Sequence, residues 1–465
     1  MRSIGSSLAS SWVLWLALVG LSPGASHAAD PAAIGQPDDG IPAPAAPKDD
    51  VVIPEPSKDE KPIDGQHETP KAGEPFETHL LGEKVEVEPR DRSHTMALVL
   101  GAALWDPSIG GTSAVPMASF YYRDISIDSR IRAQVSGLVN EVEYARRVAR
   151  PIELIARMEN DHRRVFGESE VLDDVQLDDT DLVWGGDSLW LGGGWQLPLK
   201  PFEIDNELRL QAFYRVGHLY FGRTSDTAKD LSIPPSALEH GPWLRLRIDT
   251  IQRNLLELPH NGVAVGADAS LTFRDPWDEF RPEPGERDPF VQDVEPRYWK
   301  TSGYAVVASP IPYLSERHRL EFQVNGAWAP SGTLDRYSAF RLGGGPLPKE
   351  SADLSRESYP GALFDQFIAE NYTTVSLEYR VELLFFVYLH LRGTVFHGTM
   401  ASLREGSESV DDVVWRGRNG QAFTTALTTG FPWDSSLYLE YDLDSGLLQD
   451  GDLGHAFMLL WSKSL

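Results

Sequence analysis

The chain has 465 residues, a formal net charge of −27 and no cysteine. The negative charge excludes nucleic acid as the main partner, because phosphate binding needs a basic surface. Without cysteine the chain forms no disulfide or thiolate metal site, has no cysteine nucleophile and carries no lipid on an N-terminal cysteine.

The first segment has the features of a secretory signal peptide. Arg2 gives it a charged start, Trp12–Val19 is a short apolar run, and small residues follow up to Ala29. The run is shorter than the ~20 residues that a membrane-spanning helix needs. We therefore predict a signal peptide over 1–28 rather than a membrane anchor.

The next segment, 29–93, is rich in Pro, Asp, Glu and Lys and has few apolar residues. A segment of this composition cannot bury enough apolar surface to fold. We predict a disordered, acidic and Pro-rich periplasmic segment, and no folded periplasmic domain before residue 94.

From 94 to 465 the sequence predicts an all-β fold, a transmembrane antiparallel β-barrel of about sixteen strands. Apolar and polar residues alternate in short runs, as where Leu208 and Leu210 alternate with Arg209 and Gln211. In an outer-membrane barrel, alternate residues face the lipid and a polar lumen. A soluble β-sandwich would not carry charged residues inside so many strands.

The connections between these runs are tight and long in turn, which is typical of brief periplasmic turns and extended external loops. The long connections cover 161–187, 223–240, 275–300, 331–371 and 399–420. The predicted strands cover 94–105, 113–123, 125–133, 135–146, 151–160, 188–198, 206–222, 241–254, 262–274, 302–311, 317–329, 372–383, 386–398, 421–431, 435–443 and 454–464. Aromatic residues near strand ends predict interfacial girdles: Trp105, Tyr121, Tyr122, Trp190, Trp195, Tyr214, Tyr220, Trp243, Trp328 and Trp461.

Short motifs follow one another in the second half of the chain. Phe340-Arg341-Leu342-Gly343-Gly344 precedes the predicted sixth external loop, and Leu377-Glu378-Tyr379-Arg380 lies in the strand after it. Upstream come Arg247–Thr250, Arg253-Asn254 and Pro259–Gly262. This series resembles the barrel domain of the Omp85 superfamily, the bacterial surface antigen family, which has Phe-x-x-Gly-Gly before that loop and Glu-Tyr-Arg after it. The resemblance is best over 240–465, and five predicted strands follow the loop, as in that family.

The resemblance implies a barrel that inserts proteins, or lipids, into the outer membrane or passes polypeptides across it. It also implies a sixth loop folded into the lumen, and a weakly paired seam between the first and last strands that opens sideways. The residues that it assigns to the loop and lumen motif are Phe340, Gly343, Gly344, Arg356, Tyr359, Gly361, Glu378 and Arg380. The implied location is the outer membrane of a Gram-negative-type bacterium. The implied partners are outer-membrane lipid, lipopolysaccharide, and a periplasmic partner or client outer-membrane protein.

The sequence departs from this family in three places. The loop tip reads Ser355–Gly361 and lacks the Arg-Gly-Tyr of the family, so Arg356 is the candidate for the arginine that would meet Glu378. Phe396-His397-Gly398 stands where the family has Asp-x-Gly. We expect no POTRA domain before the barrel, as in the POTRA-less branch of the superfamily.

Other chemistry is poorly supported. The glycines 343–345 lack the strand–helix context of a phosphate loop, and the acidic stretch Asp173–Asp181 lacks the EF-hand glycine and terminal glutamate. The histidines form no metal-binding pair. We therefore predict no enzyme, no catalytic residues, no metal and no cofactor. Two alternatives stay open: a passive channel or structural barrel, and an outer-membrane lipid hydrolase whose Ser and His meet only in space.

Overall fold

The computed structural model describes one compact unit within Pro62–Leu465. The described residues are 76–80, 83–87, 93–109, 112–137, 139–163, 171–173, 175–177, 182–199, 206–225, 227–275, 286, 296–343, 354, 358–362, 366–404, 412–431, 435–449 and 452–465. The predicted signal peptide and most of the predicted disordered segment lie outside them. Within that segment, Phe76–Leu80 and Glu83–Val87 form a short antiparallel hairpin, with an ion pair of 2.9 Å between Lys84 and Glu77.

Sixteen antiparallel strands close into one barrel, which confirms the predicted fold class and strand number. They are β1 (His94–Ile109), β2 (Thr112–Ile125), β3 (Ser129–Val135), β4 (Val139–Ala149), β5 (Ile152–Arg163), β6 (Leu182–Pro198), β7 (Glu207–Arg223), β8 (Ala237–Asp249), β9 (Pro259–Asp275), β10 (Arg297–Pro310), β11 (His318–Trp328), β12 (Phe367–Leu384), β13 (Val387–Leu403), β14 (Val413–Phe431), β15 (Ser435–Gln449) and β16 (Asp452–Ser464). Two short segments also pair with the wall, Gln252–Arg253 with β9 and Phe340–Leu342 with β12. In the part of the chain that the structure describes, no helix could span a membrane.

The outer face of the wall is apolar and the inner face is polar. Leu210, Leu244 and Leu377 point outward and are 53%, 56% and 52% exposed. Charged neighbours in the same strands, such as Arg380, are buried inside. A polypeptide can cross hydrocarbon as strands only when a closed barrel pairs its backbone groups. This barrel therefore spans the outer membrane, with its short turns on the periplasmic side.

The predicted aromatic girdles are correct only in part. Trp195 and Trp328 lie on the outer face, 41% and 50% exposed. Trp105, Tyr121 and Trp190 are instead buried in the lumen, because they occupy inward positions of their strands. A position near a strand end determines how deep a side chain lies in the membrane. Whether that side chain faces the lipid or the lumen depends on the alternation along the strand.

The third and fourth strands begin four residues later than the predicted starts at 125 and 135. Two turns cause the shift. The hydroxyl of Ser126 accepts the N–H of Ser129 at 3.1 Å and stops the chain from continuing β2. Gly137 has φ +79, which favours glycine and closes the turn between β3 and β4.

The seam between β1 and β16 is paired without interruption from Ala97 to Asp106. Ten residue pairs join the two strands, from Ala97–Ser464 to Asp106–His455. The expectation of a weakly paired seam is therefore wrong for the closed barrel. The polar end of β16, Ser462–Ser464, still pairs along β1 because ladder hydrogen bonds use backbone groups whatever the side chain.

Candidate functional site

The candidate site is the sixth external loop, 329–366, together with the wall that it contacts inside the barrel. Its first anchor is a tight turn at Asp335, which is 1% exposed. The carboxylate of Asp335 accepts the backbone N–H groups of Tyr337 and Ser338 at 2.8 and 2.9 Å. Arg274 on β9 also donates to Asp335, so the turn is tied to the barrel wall.

Arg274 belongs to a buried charge network on the inner face of β7 to β10. It donates to Glu239 at 2.8 Å. Arg215 and the hydroxyl of Tyr298 donate to the same carboxylate at 3.1 and 3.2 Å. The side chain of Arg274 is fully buried. A buried charge of this kind is tolerated only while its partners stay in place, so the network fixes the start of the loop.

Leu354 is the one described residue between 343 and 358, and it lies in the periplasmic half of the lumen. Leu354 packs against a buried apolar cluster formed by Ile251, Ala264, Tyr304 and Val306. Ile251 lies two residues beyond the periplasmic end of β8, and Val306 is close to the periplasmic end of β10. Leu354 therefore lies much deeper in the barrel than Asp335 and Tyr359 do.

The loop returns to the wall at its tip, Tyr359–Gly361. The hydroxyl of Tyr359 donates to Asp444 on β15 at 2.7 Å. Asp444 also accepts the backbone N–H groups of Leu447 and Leu448. Burial and, secondly, the charge of Asp444 raise the pKa of Tyr359, so its phenol remains protonated and continues to donate.

The tip also contacts both strands of the seam from the inside. The indole Nε1 of Trp105 on β1 donates to the carbonyl of Gly361 at 2.6 Å. Gly361 has φ +74, and a Cβ at this position would lie 3.1 Å from the side chain of Ala456 on β16. Glycine is thus required both by the backbone conformation and by the close approach to the wall. One loop segment links β15, β16 and β1.

A periplasmic turn, 250–258, narrows the lumen from the other end. Asn254 is buried, and its side-chain amide donates to the hydroxyl of Tyr388 on β13 at 3.1 Å. Arg380 donates to the carbonyl of Pro259 at 2.6 Å, which ties the end of this turn to β12. Contacts with β12 and β13 mean that the turn folds inward rather than into the periplasm.

The residues predicted for the site fall into two groups. Tyr359 and Gly361 lie in the lumen at the loop tip. Glu378 and Arg380 pair with each other at 2.7 Å, and Arg380 also pairs with Glu321 at 2.8 Å. No side-chain contact among the described residues joins the two groups.

The other predicted positions have simpler roles or lie outside the described residues. Phe340 packs edge-on against Tyr372 on β12, with ring centroids 6.0 Å apart. Gly343 follows the short segment Phe340–Leu342 at the start of the loop. Gly344 and Arg356 lie outside the described residues, so the predicted contact of Arg356 with Glu378 stays a prediction.

The acidic stretch Asp173–Asp181 is described only in part. Asp173 accepts the backbone N–H of Leu403 at 2.7 Å and pairs with Arg418 on β14. Its carboxylate is thus bound to the wall. Among the described residues, no group of three His, Cys, Asp or Glu side chains is placed to hold a metal ion.

Sequence reasoning missed four residues that hold the loop: Asp335, Arg274, Trp105 and Asp444. One signal was present, because Asp335 is followed three residues later by Ser338, a pattern that favours a side-chain-capped turn. A second was the Asp442–Asp444 pair on one face of a strand without a nearby basic residue in sequence.

No family model matches the sequence, and no curated protein is similar to it at the sequence level. Among solved structures, BamA from Haemophilus ducreyi lacking POTRA domains 1-3 is similar, with 11% identity and a TM-score of 0.48 over 84% of this chain and 75% of that one. CdiB from Acinetobacter baumannii has 11% identity and a TM-score of 0.42 over 85% and 64%. An outer membrane channel from Pseudomonas putida F1 has 8% identity and a TM-score of 0.29 over 82% and 100%. Similarity at this level concerns the barrel fold and says nothing of activity.

Proposed function

We propose that this protein assists the insertion or translocation of proteins, or of lipids, at the outer membrane, as the Omp85 resemblance implies. The observation that carries the proposal is the lumen-folded sixth loop, whose tip lies against the inner face of the seam. The loop is anchored to the wall at both ends of its path, through Asp335 at its start and through Tyr359 and Gly361 at its tip.

The proposed mechanism is the sideways opening of the β1–β16 seam. Opening breaks ten residue pairs, and it also separates Trp105 from the carbonyl of Gly361. A client strand that pairs with the freed edge replaces the lost backbone hydrogen bonds. The free energy of opening the seam is therefore largely offset once the client strand has bound. The loop tip would then act as the contact that keeps the seam shut before a client arrives.

The proposal is tested by locking the seam in a protein that has no cysteine of its own. Val99 and Ser462 are direct register partners across the seam, so a Val99→Cys/Ser462→Cys pair is placed to form a disulfide. In phosphatidylcholine liposomes, the reduced variant is expected to speed the folding of a client outer-membrane barrel, and the oxidised variant is expected to lose this effect. A Thr394→Cys/Ala422→Cys pair between β13 and β14 provides the matched control, which should stay active when oxidised.

Two results would contradict the proposal in different ways. Full activity of the oxidised seam variant would reject seam opening and leave insertion standing. Absence of any acceleration by the wild-type protein would reject insertion itself.

The alternative of a passive channel is disfavoured by the same loop. Leu354 lies low in the lumen and Tyr359 contacts the wall higher up, so the loop occupies the path that a solute would take. The periplasmic turn 250–258 narrows that path further.

We also propose that the chain is not an enzyme. One arrangement in the lumen does resemble a hydrolase triad, because His390 contacts Glu378 at 2.9 Å and Thr428 at 3.0 Å. Thr428 has no exposed surface, so its hydroxyl cannot meet an ester bond of a membrane lipid. The same liposomes should therefore release no fatty acid, and release above the protein-free background would overturn this part of the proposal.

A further inference from the structure

The barrel wall has a gap above its shortest strand. β3 has seven residues, which cover only about 18 Å along the barrel axis at a rise of ~3.3 Å per residue and a tilt of ~40°. The apolar band of outer-membrane barrels is ~25 Å tall. Beyond Val135 the chain turns at once, since Ser136 donates its backbone N–H to the carbonyl of Val139 at 3.3 Å.

The neighbouring strand β2 continues past this turn without a partner on that side. Its pairing with β3 covers only Phe120–Ile125. In the remaining part, Thr112–Ser119, all residues except Ser113 pair with β1, and among the described residues no strand pairs with its other edge. We call this segment the β2 edge. Its partners on β1 include Leu100 and Leu104, which are 43% and 49% exposed on the outer face. The β2 edge therefore lies at the depth of the apolar band.

Backbone groups without partners at this depth are strongly unfavourable, because hydrocarbon offers no hydrogen bonds. Successive residues of a strand direct their N–H and C=O groups to alternate sides. Roughly half of the residues in the β2 edge therefore direct their backbone groups into the gap. Its sequence fits an edge, since Pro116 lies within it and proline is confined to edge strands of sheets. Two polar side-chain atoms beside the gap, Oγ of Ser119 and Nε2 of Gln134, are buried without a hydrogen-bond partner.

We propose that the β2 edge is a docking site for an extended segment of the client protein, which adds to the barrel as an extra strand. This inference rests on the proposed function, and it separates the place where a client first binds from the seam that later opens. Strand addition to a free edge supplies affinity through main-chain hydrogen bonds and selectivity through alternate side chains.

The surroundings of the β2 edge specify the chemistry of the client segment. On the outer face, Ala114, Pro116 and Ala118 are small and exposed, so an added strand would meet lipid beside them with its own apolar side chains. On the lumen side, Ser119 and Gln134 need hydrogen-bond partners, so inward side chains should be polar. A segment with this alternation is the ordinary membrane strand of an outer-membrane protein.

The loop tip supports the β2 edge from behind. Val115 and Met117 point inward and pack against the buried cluster that contains Trp105, Tyr359 and Phe367. The same cluster therefore contacts β2 and the inner face of the seam. A strand bound at the β2 edge would lie two strands away from the seam, on a wall backed by the loop tip.

Disulfide trapping of a synthetic strand tests this docking site in the full chain. The probe is a peptide with the sequence Asp452–Ser464 of this protein, in which cysteine replaces the outward Leu459. The barrel variants are Ala118→Cys on the β2 edge and Leu100→Cys on β1. These two positions are register partners with the same outward direction and depth, but Leu100 has a strand on both sides. A peptide of shuffled sequence controls for non-specific capture.

Under oxidation in phosphatidylcholine liposomes, Ala118→Cys is expected to trap the peptide, whereas Leu100→Cys and the shuffled peptide stay at background. Equal trapping at both positions, or none at Ala118, would overturn the proposal. Covalent dimers of Ala118→Cys in place of peptide adducts would also overturn it, because a second copy of the chain would then occupy the edge.

This readout does not depend on insertion activity. Accelerated client folding without trapping at Ala118 would remove the docking site and keep the proposed function. Trapping without accelerated folding would keep the docking site and remove the proposed function. Both cysteine variants must retain the heat-dependent gel mobility of a folded barrel.

Discussion

Replacing Arg274 by methionine is expected to lower the free energy of unfolding by about 3–5 kcal/mol, the range found when one partner of a buried ion pair is removed. The side chain of Arg274 is fully buried and donates to both Asp335 and Glu239. Methionine fills a similar volume but leaves two buried carboxylates without their shared cation. Urea titration of the reconstituted barrel, followed by tryptophan fluorescence, measures the loss.

Arg274→Met should also free the start of the sixth loop, because Asp335 is the anchor of that segment. Trypsin is then expected to cleave after Arg341 faster than in the wild-type protein. Arg404→Met is the matched control: its ion pair with Asp412 is 3.7 Å long and largely exposed, so its removal should change neither readout measurably.

A double variant shows whether the loss comes from the ion pair. Adding Asp335→Asn to Arg274→Met removes one of the stranded charges, so the double variant should be more stable than the sum of the two single losses predicts. Strict additivity, or an Arg274→Met protein as stable as the control, would mean that the network does not hold the loop.

The fold could be predicted from sequence because the membrane imposes a simple rule on each strand. Lipid on one side and a polar lumen on the other produce an alternation such as Leu208 to Gln211, and this pattern does not depend on distant contacts. The same rule gives no information on where a turn interrupts the alternation. Ser126 and Gly137 interrupt it through local hydrogen bonds and backbone conformation, which is why the predicted starts of β3 and β4 were four residues too early.

The candidate site was less predictable because its contacts join residues that are far apart in sequence. Tyr359 and Asp444 are 85 positions apart, and Arg274 and Asp335 are 61 apart. No period relates such residues, and the partners depend on the path of an irregular loop. The resemblance indicated the positions of Tyr359 and Gly361. It did not indicate the charges at the first anchor, where the loop supplies the carboxylate of Asp335 and the wall supplies the guanidinium of Arg274.

The β2 edge could not be predicted from the sequence. Its existence follows from the difference in length between neighbouring strands, which only the register reveals. The predicted third strand, 125–133, had nine residues and would have spanned more of the membrane than the observed Ser129–Val135. A boundary error of a few residues therefore concealed the unpaired segment Thr112–Ser119.

Removal of the lumen part of the sixth loop is expected to turn a closed barrel into an open channel. The variant lacks residues 343–362, which include Leu354, Tyr359 and Gly361. Leu342 and Phe367 are register partners at the top of the wall, so the remaining four residues, 363–366, suffice as a hairpin connection. The anchor at Asp335 is kept, which preserves the fold of the loop's first part.

Single-channel recording in planar bilayers provides the measurement. The wild-type protein should show small, flickering currents, because the loop and the turn 250–258 occupy the lumen. The deletion variant should show steady currents of the size expected for a sixteen-stranded barrel with a water-filled interior. Arg404→Ala, a change at a largely exposed ion pair, should behave like the wild type.

The two outcomes distinguish the function classes directly. Large steady currents from the wild-type protein would mean that the loop leaves an open path, and the passive channel would become the better assignment. Small currents from both proteins would instead identify the turn 250–258 as the main barrier, since Asn254 holds it across the lumen to Tyr388. The loop is a plug, with its tip bound to the seam at Tyr359 and Gly361, only if the channel current rises when the loop is deleted and stays small in the wild-type protein.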